Sequence, residues 1–215
     1  MPSHTFGTIK GEIKILTIDS ESIRGNMLGD PSTRQVAIYL PPNWNKDEKE
    51  YPLFVDLVGY TGSGLAHTNW KPFAESVPQR VERLVSEGKM GEVIIALPDC
   101  FTTLGGNQYI NSLAVGNWAD FLTKEMIPII EEKFPVKKGR ENRGVFGKSS
   151  GGYGAIVHGM LYSDYWGVLA CHSGDMGFES LFMGDFPKSV TQLEKHGGIK
   201  NFLEHVKSSK KISHD

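Results

Sequence analysis

The sequence predicts an α/β fold, a mostly parallel sheet with helices on both faces. Two nearly continuous apolar runs, at residues 52–58 and 92–97, are typical of strands that are covered on both faces. A helical pattern follows each run, and this alternation of strands and helices is typical of a parallel sheet. The length of 215 residues favours one domain over residues 1–215.

The other elements of the first two thirds fit this architecture. Strands are predicted at residues 12–18 and 35–40, and the absence of a helix between them favours antiparallel pairing at one edge of the sheet. Helices are predicted at residues 72–87 and 117–134, where apolar side chains recur at helical spacing. Pro128 lies inside the second of these helices and predicts a kink or a local break.

The last third contains only one more unit of this kind. A short strand at residues 143–146 leads into a helix at residues 150–161, and a last strand is predicted at residues 167–171. Beyond Asp175 the pattern is helical and polar, without a run of β-branched residues. The sequence therefore predicts no strand after the one at residues 167–171.

Composition and charge exclude several classes of partner. The formal net charge of −2 provides no basic field for nucleic acid or anionic lipid. The longest uncharged apolar run, residues 93–98, is too short to cross a bilayer, and residues 1–10 lack the apolar stretch of a signal peptide. No group of His, Asp and Glu has the spacing of metal ligands, and no cofactor is expected. We expect a cytoplasmic protein in which Cys100 and Cys171 are free thiols.

One pentapeptide contains the candidate catalytic residue. Residues 147–151, Gly-Lys-Ser-Ser-Gly, match the pattern G-x-S-x-G between a predicted strand and a predicted helix, as a nucleophile elbow requires. The serine of such an elbow projects from a tight, strained turn, so the flanking positions must be small. Ser149 is therefore the predicted nucleophile, and its place at a helix N-terminus favours a developing oxyanion.

Two other interpretations of this segment stay open. A serine that caps a helix after a glycine-rich turn would fit the same residues. The letters Gly-Lys-Ser also occur in phosphate-binding loops, but that pattern requires a glycine where Asn142 stands, and residues 143–146 have strand character. The strand–turn–helix context favours the nucleophile over both.

Stabilisation of an oxyanion requires two backbone N–H donors. One is the residue after the nucleophile, Ser150, and the other comes from the loop that follows the strand at residues 52–58. Gly59 lets the chain turn there, so we expect the N–H of Tyr60 to be the second donor. A merely flexible glycine loop is the alternative for residues 59–64.

Four segments in this order resemble the esterase branch of the α/β-hydrolase superfamily, which is similar to enterochelin esterase, S-formylglutathione hydrolase and the mycolyltransferases. The segments are IYLPPNW, YPLFVDLVGYTGSG, VIIALPDCFTTLGGNQYINS and RGVFGKSSGGYGAI. The resemblance covers roughly residues 34–175. It implies an α/β-hydrolase fold and an esterase or acyltransferase that acts on a small-molecule ester through an acyl-enzyme on Ser149. The acyl and alcohol parts of the ester stay open.

The resemblance also implies a substrate pocket beside the loop that carries Tyr109 and Asn111. His172, at the end of the last predicted strand, lies at the active-site edge of the sheet and is a third candidate for the pocket wall. The sheet order of the family places Cys100 and Cys171 after strands about three positions apart. That separation is on the order of 14 Å, which exceeds the roughly 7 Å limit for the Cα atoms of a disulfide.

The acid and the histidine of a catalytic triad have no counterpart among the predicted elements. In the fold that the chain resembles, both follow strands later than the one at residues 167–171. Asp175 follows the wrong strand, and His158 is expected to pack within its helix. Three further histidines lie in polar helical or tail sequence, where solvated side chains are expected: His196, His205 and His214.

We therefore expect an α/β-hydrolase domain that is incomplete at its C-terminus and lacks its last strands. Taken alone it should be a weak or inactive esterase, because an unassisted serine hydroxyl is a poor nucleophile. The strand at residues 167–171 should form an exposed edge, which invites a homodimer. Two rival functions stay open, a non-catalytic α/β-hydrolase-like binding domain and an inactive fragment of an esterase.

Overall fold

The computed structural model describes residues 8–46 and 48–208. Its main feature is a six-stranded sheet with the strand order β1-β2-β4-β3-β7-β8. A separate two-stranded ribbon is formed by β5 and β6. The strands are β1 (Glu12–Asp19), β2 (Thr33–Leu40), β3 (Leu53–Leu57), β4 (Ile94–Pro98), β5 (Asn111–Ser112), β6 (Gly116–Asn117), β7 (Arg143–Lys148) and β8 (Val168–His172).

Four neighbouring strands, β4, β3, β7 and β8, are mutually parallel, and β1 and β2 pair antiparallel. This mainly parallel sheet confirms the predicted α/β-hydrolase architecture, and the β1–β2 pair confirms the predicted antiparallel edge. The carboxyl ends of the parallel strands meet at one edge of the sheet, which is where open α/β sheets bind ligands. Because β7 lies between β3 and β8, the residues that follow these three strands are neighbours.

Helices in the described part of this sheet unit are α1 (Val77–Ser86), α2 (Trp118–Asp120), α3 (Ile127–Lys133) and α4 (Ser150–Leu161). The predicted helix at residues 72–87 begins later than expected because Ser76 caps α1, and its hydroxyl and the side chain of Gln79 form a reciprocal capping box. A 3₁₀ helix, Gly64–Thr68, lies where the sequence predicts only a loop.

The long predicted helix at residues 117–134 is interrupted, as Pro128 indicates. The segment between α2 and α3, Phe121–Met126, is π-helical. A proline ring clashes with the carbonyl four residues earlier in a regular α-helix, which is that of Lys124. The wider π-helical turn before Pro128 accommodates the ring without ending the helix.

The sheet separates two apolar clusters. The larger cluster contains Val55 and Leu57 of β3 with Trp118 and Phe121 from the interrupted helix. The smaller cluster packs the opposite face of the sheet against α1. Alternate residues of β3 therefore point into different clusters, which explains why its sequence reads as an almost continuous apolar run.

The chain forms two compact units, Met1–Gly174 and Asp175–Asp215. The first contains both sheets. The second contains α5 (Phe178–Leu181), α6 (Phe186–Lys195) and α7 (Ile199–Ser208), which agrees with the helical pattern beyond Asp175. A single domain over residues 1–215 stays a prediction. No helix within the described ranges is long and apolar enough to cross a membrane.

β8 is the terminal strand of the six-stranded sheet and pairs there with β7 alone. Its first two apolar side chains, Val168 and Leu169, are 58% and 39% exposed. The strand, VLACH, contains no acidic residue, lysine or proline. Natural edge strands use such residues to oppose pairing with another chain, so β8 is an open pairing surface.

We predict that the protein self-associates through β8 in a concentration-dependent manner. Val168→Lys should shift the dimer toward monomer, because a lysine on an edge strand opposes pairing. Light scattering after size-exclusion chromatography at several concentrations measures the shift. Leu113→Lys is the matched control, since Leu113 is 95% exposed between β5 and β6. An unaltered protein that stays monomeric at every concentration would contradict the prediction.

Candidate active site

A sharp turn between β7 and α4 carries Ser149. Its backbone angles, φ 57° and ψ −120°, are a conformation that residues with side chains rarely adopt. The turn is anchored on both sides. The N–H of Ser149 donates to the carbonyl of His172 at 3.0 Å, and the N–H of Tyr153 donates to the carbonyl of Ser149 at 2.9 Å. The structure therefore places Ser149 in the strained strand–turn–helix position that the sequence predicts.

The glycines beside Ser149 let the backbones of β3, β7 and α4 approach closely. A Cβ atom on Gly151 would lie 1.8 Å from the carbonyl oxygen of Leu57, and one on Gly147 would lie 2.4 Å from the backbone of Gly151. Backbone atoms at these distances cannot move aside as a flexible side chain can, so both positions require glycine.

We predict that Gly151→Ala lowers the free energy of unfolding by about 3 kcal/mol, because the added methyl would overlap the carbonyl of Leu57. Urea denaturation followed by circular dichroism measures the change. Gly91→Ala is the control, since a Cβ there has no neighbour within 4 Å. Equal effects of the two substitutions would show that the close approach is not under strain.

The loop after β3 lies directly against Ser149. A Cβ atom on Gly59 would be 3.5 Å from Cβ and 4.0 Å from Oγ of Ser149. Tyr60 is the next residue and is half exposed. Its carbonyl accepts the N–H of Gly106 at 2.6 Å, and its hydroxyl donates to the carbonyl of Leu104. The loop that carries Tyr60 is thus held between Ser149 and the segment after β4.

The second predicted donor, Ser150, is the first residue of α4 and is 1% exposed. The predicted nucleophile and both predicted N–H donors therefore lie at one corner of the sheet, where β3 and β7 end. The start of a helix carries the positive end of its dipole, so this corner favours negative charge. The roles of Tyr60 and Ser150 as oxyanion donors stay predictions.

The three candidates for the pocket wall differ in their surroundings. Tyr109 is 2% exposed, and its hydroxyl donates to the carbonyl of Val58 at 2.7 Å. Burial raises the pKa of Tyr109 well above its ordinary value. Its ring packs on Gly154, where an added Cβ would lie 2.8 Å from the ring. Tyr109 therefore supports the end of β3 from inside, and its role in a pocket wall stays a prediction.

Asn111 and His172 are both exposed. The side-chain N–H of Asn111 donates to Asp120 at 3.0 Å, and its oxygen accepts the N–H of Asp120 at 3.1 Å. These bonds tie Asn111 to α2. His172 ends β8, and its carbonyl accepts the N–H of Ser149, so its backbone is part of the elbow. A pocket-lining role for either side chain stays a prediction.

A protein-family model described as "Putative esterase" matches residues 30–213 of the chain. The chain belongs to this esterase family. The match confirms the resemblance that the segments around Ser149 carry, and it extends over both compact units.

Several known proteins share parts of this sequence or fold. YbbA of Bacillus subtilis strain 168, an uncharacterized protein, is 28% identical over 159 residues, which are 68% of this chain and 59% of YbbA. A ferulic acid esterase of Anaeromyces mucronatus matches with a TM-score of 0.61 at 23% identity, over 80% of this chain and 62% of that chain. S-formylglutathione hydrolase of Staphylococcus aureus matches with a TM-score of 0.59 at 18% identity, over 91% of this chain and 72% of that chain. The structural matches show the shared fold.

His158 of α4 lies beneath the candidate site of this esterase-family chain. Its imidazole is completely buried, its Nδ1 accepts the indole N–H of Trp166 at 3.0 Å, and its Nε2 lies 2.8 Å from the carbonyl of Tyr109. Since the indole can only donate and the carbonyl can only accept, Nε2 carries the proton. Both nitrogens are engaged, so His158 is a packing residue, as predicted.

We predict that His158 makes the fold sensitive to acid. Burial lowers the pKa of His158. Below the ordinary value of about 6.5, the unfolded chain therefore binds a proton that the folded protein does not. The contribution of neutral His158 to the free energy of unfolding is therefore complete above about pH 6.5, and it is lost as the pH falls below that value.

His158→Gln should lower the free energy of unfolding by about 1–3 kcal/mol at pH 7, because Trp166 loses its acceptor. The same variant should lose less stability than the unaltered protein between pH 7 and 5, since glutamine does not titrate. Urea titrations across this range compare the two proteins. If the free energy of unfolding changes equally with pH in the two proteins, His158 is not the source of the acid sensitivity.

The exposure of the histidines in the second unit agrees with the prediction at one position and differs at another. His205 is exposed, whereas His196 is half-buried because its ring packs 5.4 Å from that of Phe202. His214 lies outside the described residues. Cys100 and Cys171 are both free, as predicted. In the part of the chain that the structure describes, no group of three or more His, Cys, Asp or Glu residues could hold a metal ion.

The sequence patterns miss two polar tethers beside the site. Asp56, in the middle of the apolar run of β3, is 3% exposed, and its Oδ2 lies 2.5 Å from Nδ1 of His67. The hydroxyl of Ser63 donates to Oδ1 of Asp99 at 2.9 Å. A lone carboxyl group in a buried strand is the signal that reveals the first tether, since a buried carboxylate requires a partner.

Proposed function

We propose that the protein is a serine carboxylic-ester hydrolase that works through an acyl-enzyme on Ser149. The observation that carries this proposal is the strained elbow, in which Ser149 has a φ of 57° and Gly59 lies against its side chain. A serine that merely caps a helix has extended backbone angles and accepts a hydrogen bond from the first turn. Ser149 has neither property, since its side chain makes no capping bond to α4.

The chemistry follows from what surrounds Oγ of Ser149. In the proposed reaction Oγ attacks the ester carbonyl carbon while a base takes its proton. The N–H groups of Tyr60 and Ser150 donate to the resulting oxyanion, and the alcohol leaves with the proton returned by the base. Water then attacks the acyl-enzyme by the same route and releases the acid. In comparable sites, loss of one oxyanion donor slows the reaction by about 10²–10³-fold.

The proposed substrate is a small-molecule ester, handled without a cofactor by a cytoplasmic protein. The net charge of −2 supports the exclusion of nucleic acid and membrane as partners. Two structural relatives, a ferulic acid esterase and an S-formylglutathione hydrolase, favour acyl compounds of low molecular weight as substrates.

A non-catalytic binding domain is the second candidate, and one observation favours it. β8 is the last strand of the described residues, so the acid and the histidine that follow later strands in this fold are not assigned within residues 8–46 and 48–208. We propose accordingly that residues 1–215 alone turn over esters slowly, since the proton of Ser149 needs an acceptor.

We predict that a fluorophosphonate probe labels Ser149 in the complete protein, where a base takes the proton of Ser149, and that Ser149→Ala abolishes both labelling and ester hydrolysis. Only an activated serine reacts with such a probe at an appreciable rate. Mass spectrometry of the labelled peptide and hydrolysis of p-nitrophenyl acetate measure the two effects. Ser86→Ala, at an exposed position of α1, is the control and should behave as the unaltered protein. A protein that is folded but unlabelled would favour the binding domain.

A further inference from the structure

Asp56 and His67 form an isolated pair next to the candidate site, and the proposed reaction does not use it. Asp56 lies on the same face of β3 as Phe54, which packs against the smaller apolar cluster. Among the hydrogen bonds and ion pairs of residues 8–46 and 48–208, the carboxyl group of Asp56 has one partner, His67. An ionised carboxyl group can only accept, so Nδ1 of His67 carries the proton in this contact.

His67 belongs to the same loop as Tyr60, the predicted oxyanion donor. We call residues 59–69 the Tyr60 loop. It leaves the end of β3, contacts Ser149 through Gly59 and contains the 3₁₀ helix Gly64–Thr68. The carboxyl group of Asp56 lies in β3 and His67 lies in the 3₁₀ helix, so their contact closes the Tyr60 loop back onto its own strand.

Polar contacts, together with the packing of Leu65 against the smaller apolar cluster, hold the Tyr60 loop. The side chain of Tyr60 is half exposed, and apart from Gly64 no residue of the loop is buried. Gly64 packs against the backbone of Leu97, and Ser63 donates to Asp99. These two contacts bind the middle of the loop to β4. The contact of His67 with Asp56 is the one that binds its far end to β3.

We propose that Asp56 and His67 are positioning residues that hold the Tyr60 loop, and with it the N–H of Tyr60, against Ser149. The inference rests on the proposed function. Neither residue needs to touch the substrate. If the far end of the loop is released, Gly59 and Tyr60 can move relative to Oγ of Ser149. A displacement of about 1 Å in a catalytic site can slow a reaction by about 10²-fold.

The test compares two substitutions at one position. His67→Ala removes the donor to Asp56, whereas His67→Asn places an amide N–H near the position of Nδ1. We expect His67→Ala to slow fluorophosphonate labelling of Ser149 and kcat by about 10- to 100-fold with little change in KM, since an oxyanion donor acts in the transition state. His67→Asn should recover most of the rate. Hydrogen exchange of the amides of residues 59–69 should accelerate in His67→Ala alone.

Glu131→Gln is the matched control. Glu131 pairs with Arg143 at 2.5 Å, and both side chains are mostly buried at the opposite end of β7. This variant loses a comparable pair, so a general loss of stability would slow labelling in it as well. Equal labelling rates in His67→Ala and the unaltered protein would overturn the proposal.

A separate outcome distinguishes this inference from the function on which it rests. If the unaltered protein is not labelled, the esterase proposal fails. The positioning of the loop is then decided by hydrogen exchange, and unchanged exchange of residues 59–69 in His67→Ala would overturn it.

Discussion

The contact between the start of α4 and the end of β3 is the constraint on which the rest of the site depends. At Gly151 the helix backbone comes so close to the carbonyl of Leu57 that no side-chain atom fits between them. This approach sets the height of the helix above the sheet and forces the chain from β7 to turn within one residue. Ser149 is that residue, and its positive φ is the geometric result of joining a strand to a helix in so little space.

Two different kinds of contact stabilise the corner of the sheet that carries Ser149. Below it, Tyr109, His158 and Trp166 form a buried hydrogen-bonded chain that ends at the carbonyl of Val58. Above it, the partly buried Tyr60 loop is held by single polar contacts and by the packing of Leu65 against the smaller apolar cluster. Many sites combine a rigid buried layer, which fixes the reactive side chain, with a surface loop that can move to admit a ligand.

The sequence predicts the fold and the strained turn at Ser149 well because both depend on local patterns. The apolar runs of β3 and β4 identify strands covered on both faces, and the glycines around Ser149 identify the elbow. The predicted first helix begins too early because the apolar stripe starts before Ser76, which caps α1. The side chain of Tyr109 is buried, which depends on packing between distant segments and has no local pattern. The contact between Asp56 and His67 joins residues of different elements, and its one local signal is the lone carboxyl group within the apolar run of β3.

One hydrogen bond connects β8, an edge strand of the sheet, to Ser149. The carbonyl that receives the N–H of Ser149 belongs to His172, the last residue of β8. The register of β8 on β7, in which Lys148 lies opposite His172, sets this position. A shift of β8 by one residue would bring Cys171 or Ser173 to the elbow and turn every side chain of the strand to the other face. The alignment of β8 on β7 therefore helps to set the backbone geometry of Ser149, although no side chain of β8 has to touch Ser149.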